Sequence, residues 1–283
     1  PVDDDTAYTL IGLLTLEAYG PTFTPEQQAE LWQRNFPVRS EENGSWGAYW
    51  GERRFLQNLA AGVDAQRAGH RRNPNVQSIA AWTRADAWGY AAPGWPEKAA
   101  ELAFRDSSVN HRRNGVYGTM FMAASIAAAF TVDDPVEALQ IGLQEIPEGS
   151  LLAEGVRWAF DQADRVRDYK DAARLVAERY PRMFEGHAIN NALHVVFGIL
   201  LGRRDFTRVI GETVAMGDDN DCTGATAGSI VGAAIGLAEV PAHWIAPFQG
   251  RMQNYLRDLP EIVEVDEIGE RFRRQAERVV REG

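Results

Sequence analysis

Residues 116–130 of this 283-residue chain are apolar nearly all round. A helix without a polar stripe belongs at the centre of a domain, because any face turned outward would expose apolar surface to water. Residues 222–236 read the same way with smaller side chains, Gly224, Ala225, Ala227, Gly228, Ser229, Gly232, Ala233 and Ala234 recurring along them. Each glycine in a helix interior costs roughly 1 kcal/mol relative to alanine, so close packing of neighbouring backbones is expected to offset it. Two such segments predict a fold built around central helices.

The remaining sequence agrees. Tyr8, Leu10, Ile11, Leu13, Leu14 and Leu16 form an apolar helix stopped by Gly20-Pro21, and Thr24-Pro25-Glu26-Gln27 opens another with an N-cap and a proline in the first turn. Further helices are expected at about 52–62, 77–89, 96–108, 134–144, 150–165, 168–178, 188–201, 205–215 and 261–281, punctuated by Pro74, Pro93-Gly94, Pro135, Pro147, Pro181 and Gly202. Residues 40–50 read as a polar, glycine-containing loop. No strand alternation, hairpin signature, linker or fixed-period repeat is evident. The expected fold class is all-α, a single compact multi-helix domain over residues 1–283.

Composition narrows the function. A net charge of −11 argues against nucleic acid and against an anionic membrane surface as partners. The single cysteine, Cys222, excludes an internal disulfide framework and fits a reducing compartment. No apolar run approaches the roughly 20 residues that span a bilayer, and no signal peptide is evident, so a cytoplasmic location is expected. Serine nucleophile elbow, Walker loop and dinucleotide fingerprint are all lacking.

Chemistry concentrates in two acidic runs, Asp3-Asp4-Asp5-Thr6 and Asp218-Asp219-Asn220-Asp221-Cys222. Each alone reads as an acidic helix start complementing the helix dipole. Both, however, lead into strongly apolar helices, where crowded carboxylates resist desolvation and repel one another. A hard divalent cation such as Mg²⁺ or Mn²⁺ resolves that conflict. Asp219 and Asp221, two apart, suit a turn that projects both carboxylates to one side. The paired motifs of terpenoid synthases do not fit, since Asp4-Asp5 continues Thr6-Ala7-Tyr8 and Asn220-Asp221 is followed by Gly224 and Gly228.

An Asp-Asp-Thr run opening an apolar helix, followed near the C-terminus by the stretch from Gly217 to Gly228, resembles the ADP-ribosylglycohydrolase family (dinitrogenase-reductase-activating and ADP-ribosyl-acceptor hydrolases). Arg84-Ala85-Asp86 with Gly89 and Pro93-Gly94, the His111 stretch and the region from His187 to Asn191 also fit it. The resemblance implies an all-α fold with two Mg²⁺ or Mn²⁺ ions held by Asp3, Asp4, Asp5, Asp219, Asp221 and Cys222. It implies hydrolysis of the bond to the anomeric carbon of ADP-ribose, on a small molecule or an ADP-ribosylated protein, with Asp5 and Asp219 as catalytic carboxylates. His111, Arg84, Asp86, Asn114, Gly115 and Tyr117 become candidate substrate contacts.

The chain departs from the pattern at named positions. Asp3 replaces the usual Ser or Thr, and Cys222 the usual Thr. The glycine-rich phosphate loop is replaced by residues 78–84, and the opening Gly-Asp-x-x-Gly segment is not found, so the N-terminal part of the domain is expected to be absent from a chain that starts Pro1-Val2-Asp3. These differences keep two alternatives open: a hydrolase of a non-ADP-ribose, nucleoside-like compound, and a non-catalytic protein of the same fold. Structural roles also remain open for the secondary candidates: a helix-capping His111, a salt-bridged Arg84 and Asp86 among aromatics, and capping by His187, Asn190 and Asn191. His70 and His243 read as surface histidines.

Overall fold

A computed structural model describes residues 3–36 and 48–283. Most of the loop expected at 40–50 therefore lies outside the described residues. Among those described, the chain forms α1 (Asp4–Tyr19), α2 (Pro25–Asn35), α3 (Trp50–Ala60), α4 (Ala65–Ala68), α5 (Ala85–Ala91), α6 (Pro96–Ser107), α7 (Asn114–Ala129) and α8 (Pro135–Gly142). It continues through α9 (Leu151–Asp161), α10 (Tyr169–Arg179), α11 (Ala188–Gly202), α12 (Phe206–Ala215), α13 (Asn220–Ile235), α14 (Ala242–Ile245) and α15 (Val265–Glu282).

The all-α expectation holds. Helix starts carry the caps that their sequences supply: Thr24 and Gln27 form a reciprocal capping box on α2, and Asp134, Ser150, Asp168 and Asp205 accept first-turn amides. The all-apolar α7 is buried along almost its whole length and packs on α5, α6 and α8. Helix α11 is equally buried from Ala188 to Ile199 and joins α7, α9, α10, α12 and α13. Helix α1 lies across α2, α5 and α15.

Three expectations need correction. The helix foreseen at 77–89 is divided into a 3-10 turn (Ile79–Ala81) and α5, with Trp82 and Arg84 turned into the core at the break. A short antiparallel pair, β1 (Arg251–Gln253) with β2 (Ile262–Glu264), was not foreseen, and three residues are too few to display a period of two. Finally, α13 is not buried all round. Ala225 is exposed and Gly228, Ser229, Gly232 and Ala233 are half-exposed, because residues this small carry little apolar surface to hide. The expected close approach of backbones is not seen: at Gly224 a Cβ would stand 2.8 Å from a side-chain atom, Val214 Cγ2, and at Gly228 and Gly232 nothing is closer than 3.5 Å.

Candidate metal centre and its surroundings

The two acidic runs meet. Asp3 is the N-cap of α1, its Oδ1 accepting the Thr6 amide at 2.8 Å, which leaves Asp4 and Asp5 in the first turn facing the start of α13. Asp219 is the N-cap of α13 but makes no side-chain cap, so its carboxylate stays available. A cavity of about 370 Å³ opens here, lined by Asp4, Asp218, Asp219, Asp221 and Cys222 together with Tyr49, Ala80, Thr83 and Glu185. One oxygen each of Asp5 and Asp221 and the Cys222 sulfur lie within 4.8 Å of one another.

The electrostatics are those of an uncompensated acidic cluster. Burial, then repulsion by Asp4, Asp221 and Asp3, pushes the Asp5 carboxyl up to about 8. Burial and the Asp221 and Asp3 charges raise Asp4 to about 6. Asp219 is also raised to about 6, mainly by burial. Asp5 Oδ1 is buried without a hydrogen-bond partner among the described residues. An orphaned carboxylate oxygen in such a place fits a cation ligand, since a buried acceptor is otherwise satisfied.

Cys222 fits less well. Burial and the surrounding carboxylates drive its thiol far above the ordinary range, so it stays protonated. In that form it lies against Asp5 and Asp219 and stabilises their charged states, whereas a hard cation prefers oxygen.

The loop before α13 is held from α11. Gly217 and Asp218 are both left-handed (φ +87° and +58°), a turn that aspartate tolerates better than most residues. Asn190 Nδ2 donates to Asp218 Oδ2 at 2.6 Å, and Asn191 Oδ1 accepts the Asp219 amide at 3.1 Å. Asn191 Nδ2 in turn donates to the carbonyls of Glu185 and His187 at 2.6 and 2.9 Å. His187 is the α11 N-cap, accepting the Ile189 amide.

Residues 1–277 match the ADP-ribosylglycohydrolase family. The chain belongs to that family. A solved structure described as an "ADP-ribosylglycohydrolase-related protein complex" shares the fold, with a TM-score of 0.61, 22% identity, and coverage of 98% of this chain and 80% of that one. Comparison with curated proteins gives no match.

Within this ADP-ribosylglycohydrolase fold the other candidates separate into groups. Arg84 is buried, its Nε 2.5 Å from Asp106 Oδ2, Nη1 3.4 Å from Glu52 Oε1, and Nη2 donating to Asn110 Oδ1 at 2.6 Å. His111 completes the network beside Glu52, Ser78 and Asn110, and burial with the Arg84 and Arg112 charges keeps it neutral. Asn114 bridges the side chain of Gln77 and the Leu152 amide, and a Cβ on Gly115 would stand 2.8 Å from the Val76 carbonyl. Tyr117 is half-buried against the core. None of these five lines the acidic cavity. Asp86 faces a different cavity, between α1, α5, α13 and α15. His70 and His243 are exposed.

Sequence reasoning missed Tyr49, Thr83 and Glu185 as cavity walls and Glu52 as a buried carboxylate raised to about 7 by burial. A glutamate in the first turn of a helix ordinarily reads as a solvated partner of the dipole, so only the fold reveals it.

Proposed function

We propose that this protein is a Mg²⁺- or Mn²⁺-dependent hydrolase of the glycosidic bond in ADP-ribosylated or other ribosylated substrates. The observation that carries the reading is the buried Asp5 Oδ1, which has no hydrogen-bond partner among the described residues and belongs to a side chain beside Asp221 and Cys222. Asp4, Asp5, Asp219 and Asp221 would hold the ions, with Asp3 at the rim. Cys222 supports the carboxylates through its thiol. Bound there, a hard divalent ion supplies Lewis acidity and neutralises the crowded charge. The chain's own residues then bind the ribose hydroxyls at the cavity wall, and Asp219, free of capping duty, accepts the proton of the attacking water.

The buried ion pairs of Arg84 favour a second reading on the same site, a ribosyl substrate without a diphosphate. A guanidinium already engaged by Asp106, Glu52 and Asn110 does not serve a diphosphate as well. Turnover of ADP-ribosyl-arginine, ADP-ribosyl-serine and simple nucleosides, each with Mn²⁺, Mg²⁺ or chelator, separates the two. Asp221→Ala is expected to lower turnover by roughly 100-fold or more. Activity that survives both chelation and this substitution overturns the metal-dependent reading.

A further inference from the structure

A second cavity, of about 680 Å³, lies between α1, α5, α13 and α15, with Asp5 of the acidic cluster at one end of its wall. Its walls are mainly apolar, contributed among others by Leu10, Tyr90, Phe130, Ile268 and Phe272. This size and character suit a small organic ligand, for which sites usually combine an apolar lining with a few fixed polar groups.

Besides Asp5, which belongs to the acidic cluster, the buried carboxyl on this wall is Asp86. Its side chain is more than nine-tenths buried, with the residue at 8% exposure. Ser229 donates to Asp86 Oδ2 at 2.8 Å, and the Tyr90 hydroxyl lies 2.8 Å from the same serine oxygen. Asp86 Oδ1 has no hydrogen-bond partner among the described residues. Among the described residues no Lys, Arg or His pairs with Asp86, and the Arg273 guanidinium at the rim is held by Glu270 and Glu277. A buried carboxyl with one satisfied and one orphaned oxygen, on the wall of an apolar cavity, lacks a donor.

We propose that this cavity binds an apolar, aromatic-sized molecule bearing an amine, whose N–H groups satisfy Asp86 Oδ1 while its body packs between Phe130 and Phe272. Amines match the site because they only donate, and a cationic head forms a charge-assisted bond with the carboxylate. A carboxylate ligand would place like charge against Asp86, and an alcohol would supply one donor without charge. The metal reading shares Asp5 with this wall, and Asp86→Asn, which leaves Asp5 in place, lets either reading fail alone.

Three probes of one shape test it: 4-phenylbutylamine, 4-phenylbutanol and 4-phenylbutyrate, titrated calorimetrically into the metal-free protein at pH 8, where Asp86 is mostly ionised and the amine is still protonated. The amine is expected to bind at least about tenfold more tightly than the alcohol, with the carboxylate weakest. Asp86→Asn should remove the amine's advantage. Gly269→Phe should weaken both amine and alcohol, since a Cβ at this cavity-lining helical position meets nothing within 4 Å and the ring has room to enter the cavity. NMR contacts between the amine and the Ala225 or Ala276 methyls in the unmodified protein check the location without a variant. Absence of amine binding at millimolar concentration, equal affinity for amine and alcohol, or indifference to Gly269→Phe overturns the proposal. So does contact only with other residues, or finding the cavity filled by a polypeptide segment.

Discussion

The side-chain oxygen of Asn191 accepts the amide of Asp219 at 3.1 Å, and with the Asn190–Asp218 bond it ties the start of α13 to the first turn of α11. Asn191 is fully buried, and its amide nitrogen is spent on the carbonyls of Glu185 and His187. The residue that positions the second acidic run is therefore a neutral amide outside that run.

Asn191→Ala should strand the Asp219 amide and remove a donor from the His187 and Glu185 carbonyls, the latter still served by Asn190 Nδ2 at 3.4 Å. Stability is expected to fall by about 1–3 kcal/mol, the cost of one buried group left unpaired. Mn²⁺ affinity should fall by roughly 10–100-fold, the usual effect of removing an outer-shell partner. Chemical denaturation and calorimetric Mn²⁺ titration measure the two. Unchanged metal affinity in a folded variant would show that the loop holds its geometry without Asn191.

Asp221→Asn should separate the cost of the cluster from its use. Without metal, one negative charge fewer relieves Asp5 and Asp219, both of which feel Asp221, so the metal-free melting temperature should rise by a few degrees. The rise in melting temperature on adding Mn²⁺ should shrink, because the ion stabilises only in proportion to its affinity for the folded state. Melting curves with and without Mn²⁺ suffice. A metal-induced rise as large as in the unmodified protein would exclude Asp221 as a ligand.

Much of this arrangement was legible in the sequence, for a physical reason. Two carboxylate runs, each next to an apolar helix, conflict with burial unless they share a cation, and the fold does bring Asp4, Asp219 and Asp221 to one cavity and Asp5 beside Asp221. The helical architecture was equally legible because α1, α7 and α11 are too apolar to be anything but interior. What stayed hidden depends on long-range packing. Arg84 and His111 read as ligand contacts, yet the break before α5 turns Arg84 inward onto Glu52 and Asp106, partners 32 and 22 residues away. The open face of α13 was hidden too, since a stripe of glycine and alanine does not distinguish a buried contact from a cavity wall.

Arg84→Met tests the inward role. It leaves Asp106 and Glu52 buried without their cation, a situation that costs roughly 3–5 kcal/mol when one member of a buried ion pair is removed. Denaturant titration should show that loss in metal-free and Mn²⁺-loaded protein alike, with a similar decrement in both. A folded variant of unchanged stability whose only defect is a raised KM would instead make Arg84 a substrate contact.

Asp86 supplies the pH test. Burial raises its carboxyl to about 7 from an ordinary 3.8, with the Ser229 hydrogen bond opposing the rise. In the unfolded chain the group ionises near the ordinary value, so between about pH 4 and pH 7 the folded state holds the proton more tightly. Stability from this group is therefore fully present below about pH 4, falls as pH rises to about 7, and is constant above, the total being on the order of 4 kcal/mol at most. Asp86→Asn does not titrate and keeps an oxygen for Ser229. Relative to the unmodified protein it should gain stability progressively across that window and hold the gain above pH 7. Denaturation of both proteins from pH 4 to pH 8 gives the difference curve, and a flat difference would mean that Asp86 ionises in the folded protein as it does in water.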